Sequence, residues 1–334
     1  MGYNFQQQCV KQGERRLKAE FAPMEGVTSV WYRQAHRRWF GDVERYYTPF
    51  LSPTQDHVFP KRELREIDPA GNEGVPLVPQ LLTRRAEDFL WAANALADLG
   101  YEEVNLNLGC PSGTVTAKRK GAGFLAVPQE LDAFLEEIFA KCPITISVKT
   151  RLGISDPEEF WPILEIYNQY PIKELIVHPR VQKDQYKNHP RRELFVVAAA
   201  RSRAPVCYNG DLYTTGAVEK FQKDCPNVER IMLGRGLIGD PALARKLAGG
   251  PAASKEELKG FLAEVYEGYT QGFGSRHSAM LRMKELWCYL ICLFRDGAKY
   301  GKAIRKAKDP AEYEARAAAV FRELELLDDL EPDW

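Results

Sequence analysis

The 334-residue sequence has no uninterrupted apolar run long enough to cross a bilayer, which argues against a helical membrane span. Its opening stretch, MGYNFQQQCVKQGERR, lacks the apolar core of a secretory signal, so a cytoplasmic location is expected. Paired cysteines are missing too. There are seven, an odd number at scattered spacings with no CxxC, which speaks against a disulfide framework. Cys288 and Cys292 stand four apart on an expected helix with no second ligand pair nearby, and two core thiols fit them better than a zinc site. Net charge is absent as well: 46 basic residues balance 46 acidic ones, so overall charge does not announce a nucleic-acid partner. No repeat of solenoid period and no low-complexity tract occurs.

The balance is local rather than uniform. Between positions 276 and 308 stand Arg276, Arg282, Lys284, Arg295, Lys299, Lys302, Arg305, Lys306 and Lys308 against Glu285 and Asp296, about +7. Positions 309–334 carry nine acids against Arg316 and Arg322, about −7. Either the two segments pair with each other, or the first offers a basic face to phosphates.

Eight strand-like runs alternate with helical stretches: LKAEFAPM, ERYYTPF, VPLVPQLL, EEVNLNLG, ITISVKTRL, ELIVHPR, APVCYNG and ERIMLG. Amphipathic segments such as AEDFLWAANALADLG and PQELDAFLEEIFAKC separate them, a pattern of a closed (β/α)8 barrel rather than an open sheet. In SVWYRQAHRRWF the residues Trp31, Ala35, Arg38 and Trp39 recur near helical spacing, and its aromatics are expected in the core. After about Leu247 the strands stop. SKEELKGFLAEVYEGYTQGF, RHSAMLRMKELWCYLICLF and PAEYEARAAAVFRELELL read as three helices. The expected fold class is α/β, a (β/α)8 TIM barrel over 17–248 with a C-terminal helical-bundle domain over 249–334 and an N-terminal extension over 1–16.

Barrels of this kind place their chemistry at the C-terminal ends of the strands. Those ends carry Pro23 and Met24, Gln80, Cys110, Lys149 with Arg151, His178 with Arg180, Asn209-Gly210-Asp211, and Gly234-Arg235-Gly236. A thiol, a lysine, a histidine, arginines and two glycine turns therefore converge on one face. GRGLIG, residues 234–239, matches G-x-G-x-x-G, but it follows the last strand and only helices come after it, which rejects a dinucleotide fold. In a barrel, glycine turns there cradle a phosphate, suggesting a phosphorylated cofactor near Gly210, Gly234 and Arg235.

Together FAPMEGVTS, NLNLGCPSGTV, KGAGFL, SVKTRLG, HPR, YNGD and MLGRG resemble the tRNA-dihydrouridine synthases, from about Phe21 through the appended helices. The resemblance implies an FMN-dependent barrel with a helical RNA-recognition domain, which reduces the C5=C6 bond of uridine in tRNA with NADPH. It implies Pro23 and Met24 against the flavin ring, Gln80 on its pyrimidine edge, and Lys149 beside N1 and O2. His178, Asn209, Gly210, Asp211, Gly234 and Arg235 would hold the ribityl tail and phosphate. Cys110, on a flexible loop, would be the general acid, which requires a neutral thiol. Asn105 and Arg180 would grip the uracil edge, with Tyr186 as a wall. Lys118, Arg119, Lys120, Arg282 and Lys284 would meet RNA phosphates. Apart from the resemblance, a monomer without a metal is expected. The sequence departs from the family pattern at Ser29, Pro49, Gly113, Thr114, Pro179 and Val181, none of them a flavin residue. Two other readings stand beside it: a small-molecule flavin ene-reductase or dihydroorotate-type dehydrogenase on the same barrel, and an RNA-binding flavoprotein without turnover.

Overall fold

The computed structural model describes residues 17–332, so the extension assigned to 1–16 lies outside the described residues. Nine parallel strands form one sheet: β1 (Lys18–Phe21), β2 (Arg45–Tyr47), β3 (Leu77–Val78), β4 (Gln80–Leu81), β5 (Glu103–Leu108), β6 (Thr145–Arg151), β7 (Leu175–His178), β8 (Val206–Tyr208) and β9 (Arg230–Leu233). They make eight staves rather than nine, because β3 and β4 are one strand interrupted at Pro79, which has no N–H to give the ladder. Its first half pairs with β2 and its second with β5, while β1 pairs with both β2 and β9. The Pro79 carbonyl still accepts from the Asn105 amide at 2.8 Å, so the sheet closes into a barrel across the break.

Alternation along each strand sorts the side chains. On β5, Val104, Leu106 and Leu108 face the helices and are fully buried, while Asn105 and Asn107 face the barrel axis. Outside, the helix Ala86–Asp98 covers the barrel with Phe89, Ala92, Ala93 and Leu96, and the helix Pro128–Lys141 with Leu131, Phe134, Leu135 and Ile138. Both sets follow i, i+3, i+4, i+7 spacing, and each large side chain buried there contributes roughly 2 kcal/mol. Pro128 opens the second helix at its first turn, where no amide partner is needed.

The barrel floor is ionic. Arg45 lies 3.3 Å from Glu174, 3.5 Å from Glu103 and 3.6 Å from Glu20, and Arg230 lies 3.4 Å from Glu174. Since β2 and β7 stand on opposite sides of the barrel, the Arg45–Glu174 pair spans its axis. Burial, then the neighbouring Glu174, pushes the Glu20 carboxyl well above the ordinary carboxylate range, and Tyr47 donates to it at 2.8 Å.

Beyond the last strand come helices Lys255–Phe273, Arg276–Leu290, Ala298–Arg305 and Pro310–Glu323. The third of these is absent from the sequence reading, and the second ends in a 3-10 turn, Ile291–Leu293, instead of running on. Trp31 and Trp39 are half-buried and pack on the helix Lys255–Phe273, so these aromatics join the barrel to the helices instead of filling the barrel. Among the described residues, no helix is long and apolar enough to cross a membrane.

Candidate active site

The C-terminal mouth of the barrel opens into a cavity of about 600 Å³, within the range of about 300–1,000 Å³ usual for cofactor sites. Strand register delivers its polar wall: Gln80 sits beside Asn105, Asn107 beside Lys149, and Arg151 beside His178. A chain of amides runs across three strands. The Asn105 side chain donates to Ser147 Oγ (2.9 Å) and accepts from Gln80 (2.8 Å), and Gln80 accepts in turn from Asn107 (2.7 Å). Asn107 Oδ1 then takes the backbone amides of Gly109 (3.0 Å) and Cys110 (2.9 Å), so the wall fixes the thiol's own backbone.

Cys110 is braced rather than flexible. Its carbonyl accepts from the Ala122 amide (3.1 Å), Arg151 Nε donates to the Gly109 carbonyl (2.8 Å), and Gln182 donates to the Pro111 carbonyl (3.2 Å). Gly121, with φ +55°, permits this closure: a Cβ there would lie 2.9 Å from the Cys110 carbonyl oxygen. Burial raises the thiol's pKa above its ordinary value, although the Ser112 amide, Arg151 and Lys149 pull the other way, so the group is a neutral S–H near pH 7.

Lys149 points its ammonium at the same cavity and has no hydrogen bond or ion pair among the described residues. Burial, with Arg151 adding repulsion, lowers its pKa to about 8. His178 is held well below its ordinary pKa by burial and by Arg151 and Lys149, and is neutral. Arg180 Nη1 donates to its Nε2 at 2.9 Å, which leaves the ring proton on Nδ1. Asp211 organises the other side, accepting from Arg180 (2.6 and 2.9 Å) and Arg235 (2.7 Å). Burial would raise its carboxyl, but the two guanidinium groups outweigh that and hold it below the usual range. The Arg235 guanidinium lies 5.4 Å from the ring centre of Tyr186 and 5.1 Å from that of Tyr213, and Arg151 lies 5.3 Å from Tyr186. Tyr186 is 56% exposed, a flat ring at the mouth.

Pro23, Met24, Gln80, Cys110, Lys149, His178, Tyr186, Asn209, Gly210, Asp211, Gly234 and Arg235 all line this cavity. Asn105 and Arg180 do not: the first is fully buried beneath Gln80, the second behind His178 and Asp211. Lys118, Arg119 and Lys120 lie on the segment returning to Gly121, off the cavity, with Arg119 3.4 Å from Glu130. Arg282 is paired with Glu285 at 3.1 Å, and the Lys284 ammonium is bonded to the Ala307 carbonyl.

Several lining residues escaped the sequence reading. Asn107 lies on the inward face of a strand already recognised, and alternation alone could have found it, while Arg151, noted at its strand end, joins it in the lining. Glu285, Cys288 and Tyr289 reach the mouth from the helix Arg276–Leu290, which no local pattern announces. Cys288 is thus a half-buried thiol on the cavity wall rather than a core residue, while Cys292 is buried as expected.

A phosphorylated, partly anionic ring system fits this donor set. Lys149 lacks a counter-charge among the described residues, the amide wall offers donors and acceptors, and Arg235 stands beside two glycine turns.

The sequence model for dihydrouridine synthase (Dus) matches residues 20–327, nearly the whole chain. The chain belongs to the dihydrouridine synthase family. Membership in this family makes it a flavin-dependent oxidoreductase. A tRNA-dihydrouridine(16) synthase of Aquipseudomonas alcaligenes is 27% identical over 88% of this chain and 96% of its own length. One of Ralstonia nicotianae is 28% identical over 87% and 92%. A probable tRNA-dihydrouridine synthase 1 of Synechocystis is 28% identical over 68% of this dihydrouridine synthase chain and 63% of its own. Among solved structures, morphinone reductase superposes with a TM-score of 0.50 at 11% identity, covering 72% of this chain and 87% of that one, a likeness of fold.

Proposed function

We propose that this dihydrouridine synthase reduces the C5=C6 bond of uridine in tRNA, with FMN as its flavin and NADPH as reductant. The observation that carries the reading is a neutral, braced thiol sharing one cavity with an ammonium that has no counter-charge among the described residues. Full-length relatives named for position 16 support uridine 16 as the target.

When bound, the flavin supplies the hydride that adds to C6 of the base. The electrons of the C5=C6 bond then become an enolate over C4, and Cys110 gives its S–H proton to C5, regaining one from water afterwards. Lys149 and Gln80 would hold the pyrimidine edge of the cofactor, where the ammonium would compensate negative charge. Neutral His178, with Asn209, Gly210, Gly234 and Arg235, would hold the tail and phosphate, and Asp211 orients Arg235. Asn107 keeps Cys110 and Gln80 in register, Asn105 supports Gln80 from below, and Arg180 fixes the His178 tautomer. The target base leaves its stack to enter, and Tyr186 forms a wall for it. The helices from Lys255 onward serve as the RNA-recognition domain, placing Tyr289 at the mouth.

An anaerobic two-step titration tests this. NADPH should bleach the flavin absorbance, and unmodified tRNA should restore it while tRNA already saturated with dihydrouridine should not. Reoxidation by a small enone but by no RNA would replace this reading with an ene-reductase.

A further inference from the structure

The helix missed in the sequence, Ala298–Arg305, lies in the middle of the basic segment. The fold divides that segment's cations into two groups. Arg276 is paired with Glu314, Arg282 with Glu285, and Arg295 with Glu325 at 2.7 Å, and Lys284 is bonded to a carbonyl. Lys299, Lys302, Arg305, Lys306 and Lys308 are all exposed, and their side chains have no ion pair or hydrogen bond among the described residues. Three neighbouring acids are engaged elsewhere. Asp309 caps the helix Pro310–Glu323, Glu312 is paired with Arg316, and Glu323 accepts from Tyr300 and is paired with Arg322. The acidic tail therefore neutralises Arg276 and Arg295 and leaves Lys299, Lys302, Arg305, Lys306 and Lys308 open.

Four of those open cations share one face. Positions 299, 302, 305 and 306 fall within about 120° of the helix circumference, apart from Gly301 and Ile304, which are buried. Gly301 lets the helix press on Ile291, where an added Cβ would stand 3.1 Å away, so the basic face is fixed outward. From Lys299 to Lys306 the face rises about 10 Å, the axial rise of about three phosphates on one nucleic-acid strand. Its far end is tied to the cavity. The Lys284 ammonium grips the Ala307 carbonyl, and the next residue, Glu285, lines the mouth together with Cys288 and Tyr289.

We infer that Lys299, Lys302, Arg305, Lys306 and Lys308 form the phosphate-binding surface that anchors the RNA backbone while the target base enters the barrel. The inference rests on the RNA substrate proposed above. It moves the main electrostatic contact from Arg282 and Lys284, which the fold already occupies, to a helix one element further on.

The test uses the full-length, flavin-loaded protein with charge removed by K299Q/K302Q/R305Q/K306Q. A control, Arg295→Gln, removes one cation that the fold pairs. Affinity for unmodified tRNA is measured from 50 to 300 mM salt, together with dihydrouridine formation and the melting temperature. The slope of log Kd against log salt should fall by about 3 in the fourfold variant, since each phosphate contact contributes about 0.7–0.9. KM for tRNA should rise at least tenfold with kcat nearly retained, the melting temperature should stay unchanged, and the control should follow the parent. Dihydrouridine formation with an unaltered slope and KM in the fourfold variant would overturn the surface alone. A fall in slope in the fourfold variant, with a parent that binds tRNA but makes no dihydrouridine, would uphold the surface and remove the proposed reaction. Unaltered tRNA binding with loss of binding to anionic vesicles would assign the face to a membrane and overturn the inference.

Discussion

Replacing Lys149 with Met should make the cofactor-free protein more stable while weakening its hold on the flavin. The Lys149 ammonium is held in a cavity wall without a counter-charge among the described residues, and its pKa falls from 10.5 to about 8. At pH 7 that fall corresponds to at most about 3 kcal/mol spent on keeping the charge in place, at 1.36 kcal/mol per tenfold change, and residual solvent access reduces it. The sign follows from proton binding. Between about pH 8 and the ordinary lysine range the unfolded chain holds the proton and the folded protein does not, so wild-type stability rises with pH across that window. Met has similar length and no charge to desolvate, so the variant removes the cost. Its advantage should be full at pH 7 and vanish above the ordinary lysine pKa. A gain of about 1–3 kcal/mol would appear as a few degrees in melting temperature. Scanning calorimetry of the apoprotein at pH 7 and pH 10.5, repeated with saturating FMN, reads both halves, because bound flavin should stabilise the wild type more than the variant. A K149M apoprotein that melts at or below the wild-type temperature at pH 7, with a parallel pH profile, would refute the reasoning.

Other outcomes follow from the same geometry. Cys110→Ala should leave flavin binding and bleaching by NADPH intact and lower the yield of dihydrouridine by about 10²–10⁴-fold in single-turnover assays, the range of general acid catalysis. Gly210→Ala should destabilise the protein by about 1–3 kcal/mol in denaturant unfolding, because the added Cβ would lie 2.1 Å from the Tyr208 hydroxyl. Glu20→Gln should change the melting temperature little below the ordinary carboxyl pKa of 4.5. Because burial raises the folded-state pKa, the stabilising contribution of Glu20 is full there and is lost as pH rises through the raised value, so the variant should gain on the wild type as the pH is raised above 4.5. Asp211→Asn should free Arg180 and Arg235 and weaken FMN affinity more than riboflavin affinity, measured by fluorescence quenching.

The barrel was legible in the sequence because its outward residues, such as Val104, Leu106 and Leu108, are a continuous apolar set under helices of clear period. The split of the third stave at Pro79 was not, since a proline in a short run reads equally as an edge. The helix Ala298–Arg305 was hidden by its low apolar content, by the turn at Gly297 that precedes it, and by Gly301, which looks like a turn residue and is instead packed on Ile291. At the site, the residue types and strand ends could be read, but which polar residues face the cavity depends on pairing across strands. Asn105 and Asn107 are two apart on one face, yet only Asn107 reaches the mouth, because Gln80 covers Asn105. Arg180 follows His178 by two and belongs behind it, a placement set by Asp211 from the next strand end. Charge counts likewise located the basic segment without separating paired from open cations, a distinction that arises only where helices meet.

The most direct measurement is position-resolved mass spectrometry of unmodified tRNA after incubation with the flavin-loaded protein and NADPH. The expected result is a gain of about 2 Da, two hydrogens added across the C5=C6 bond, at uridine 16 with wild-type protein and none with Cys110→Ala. Flavin reduction by NADPH with every uridine in the tRNA unchanged would contradict it.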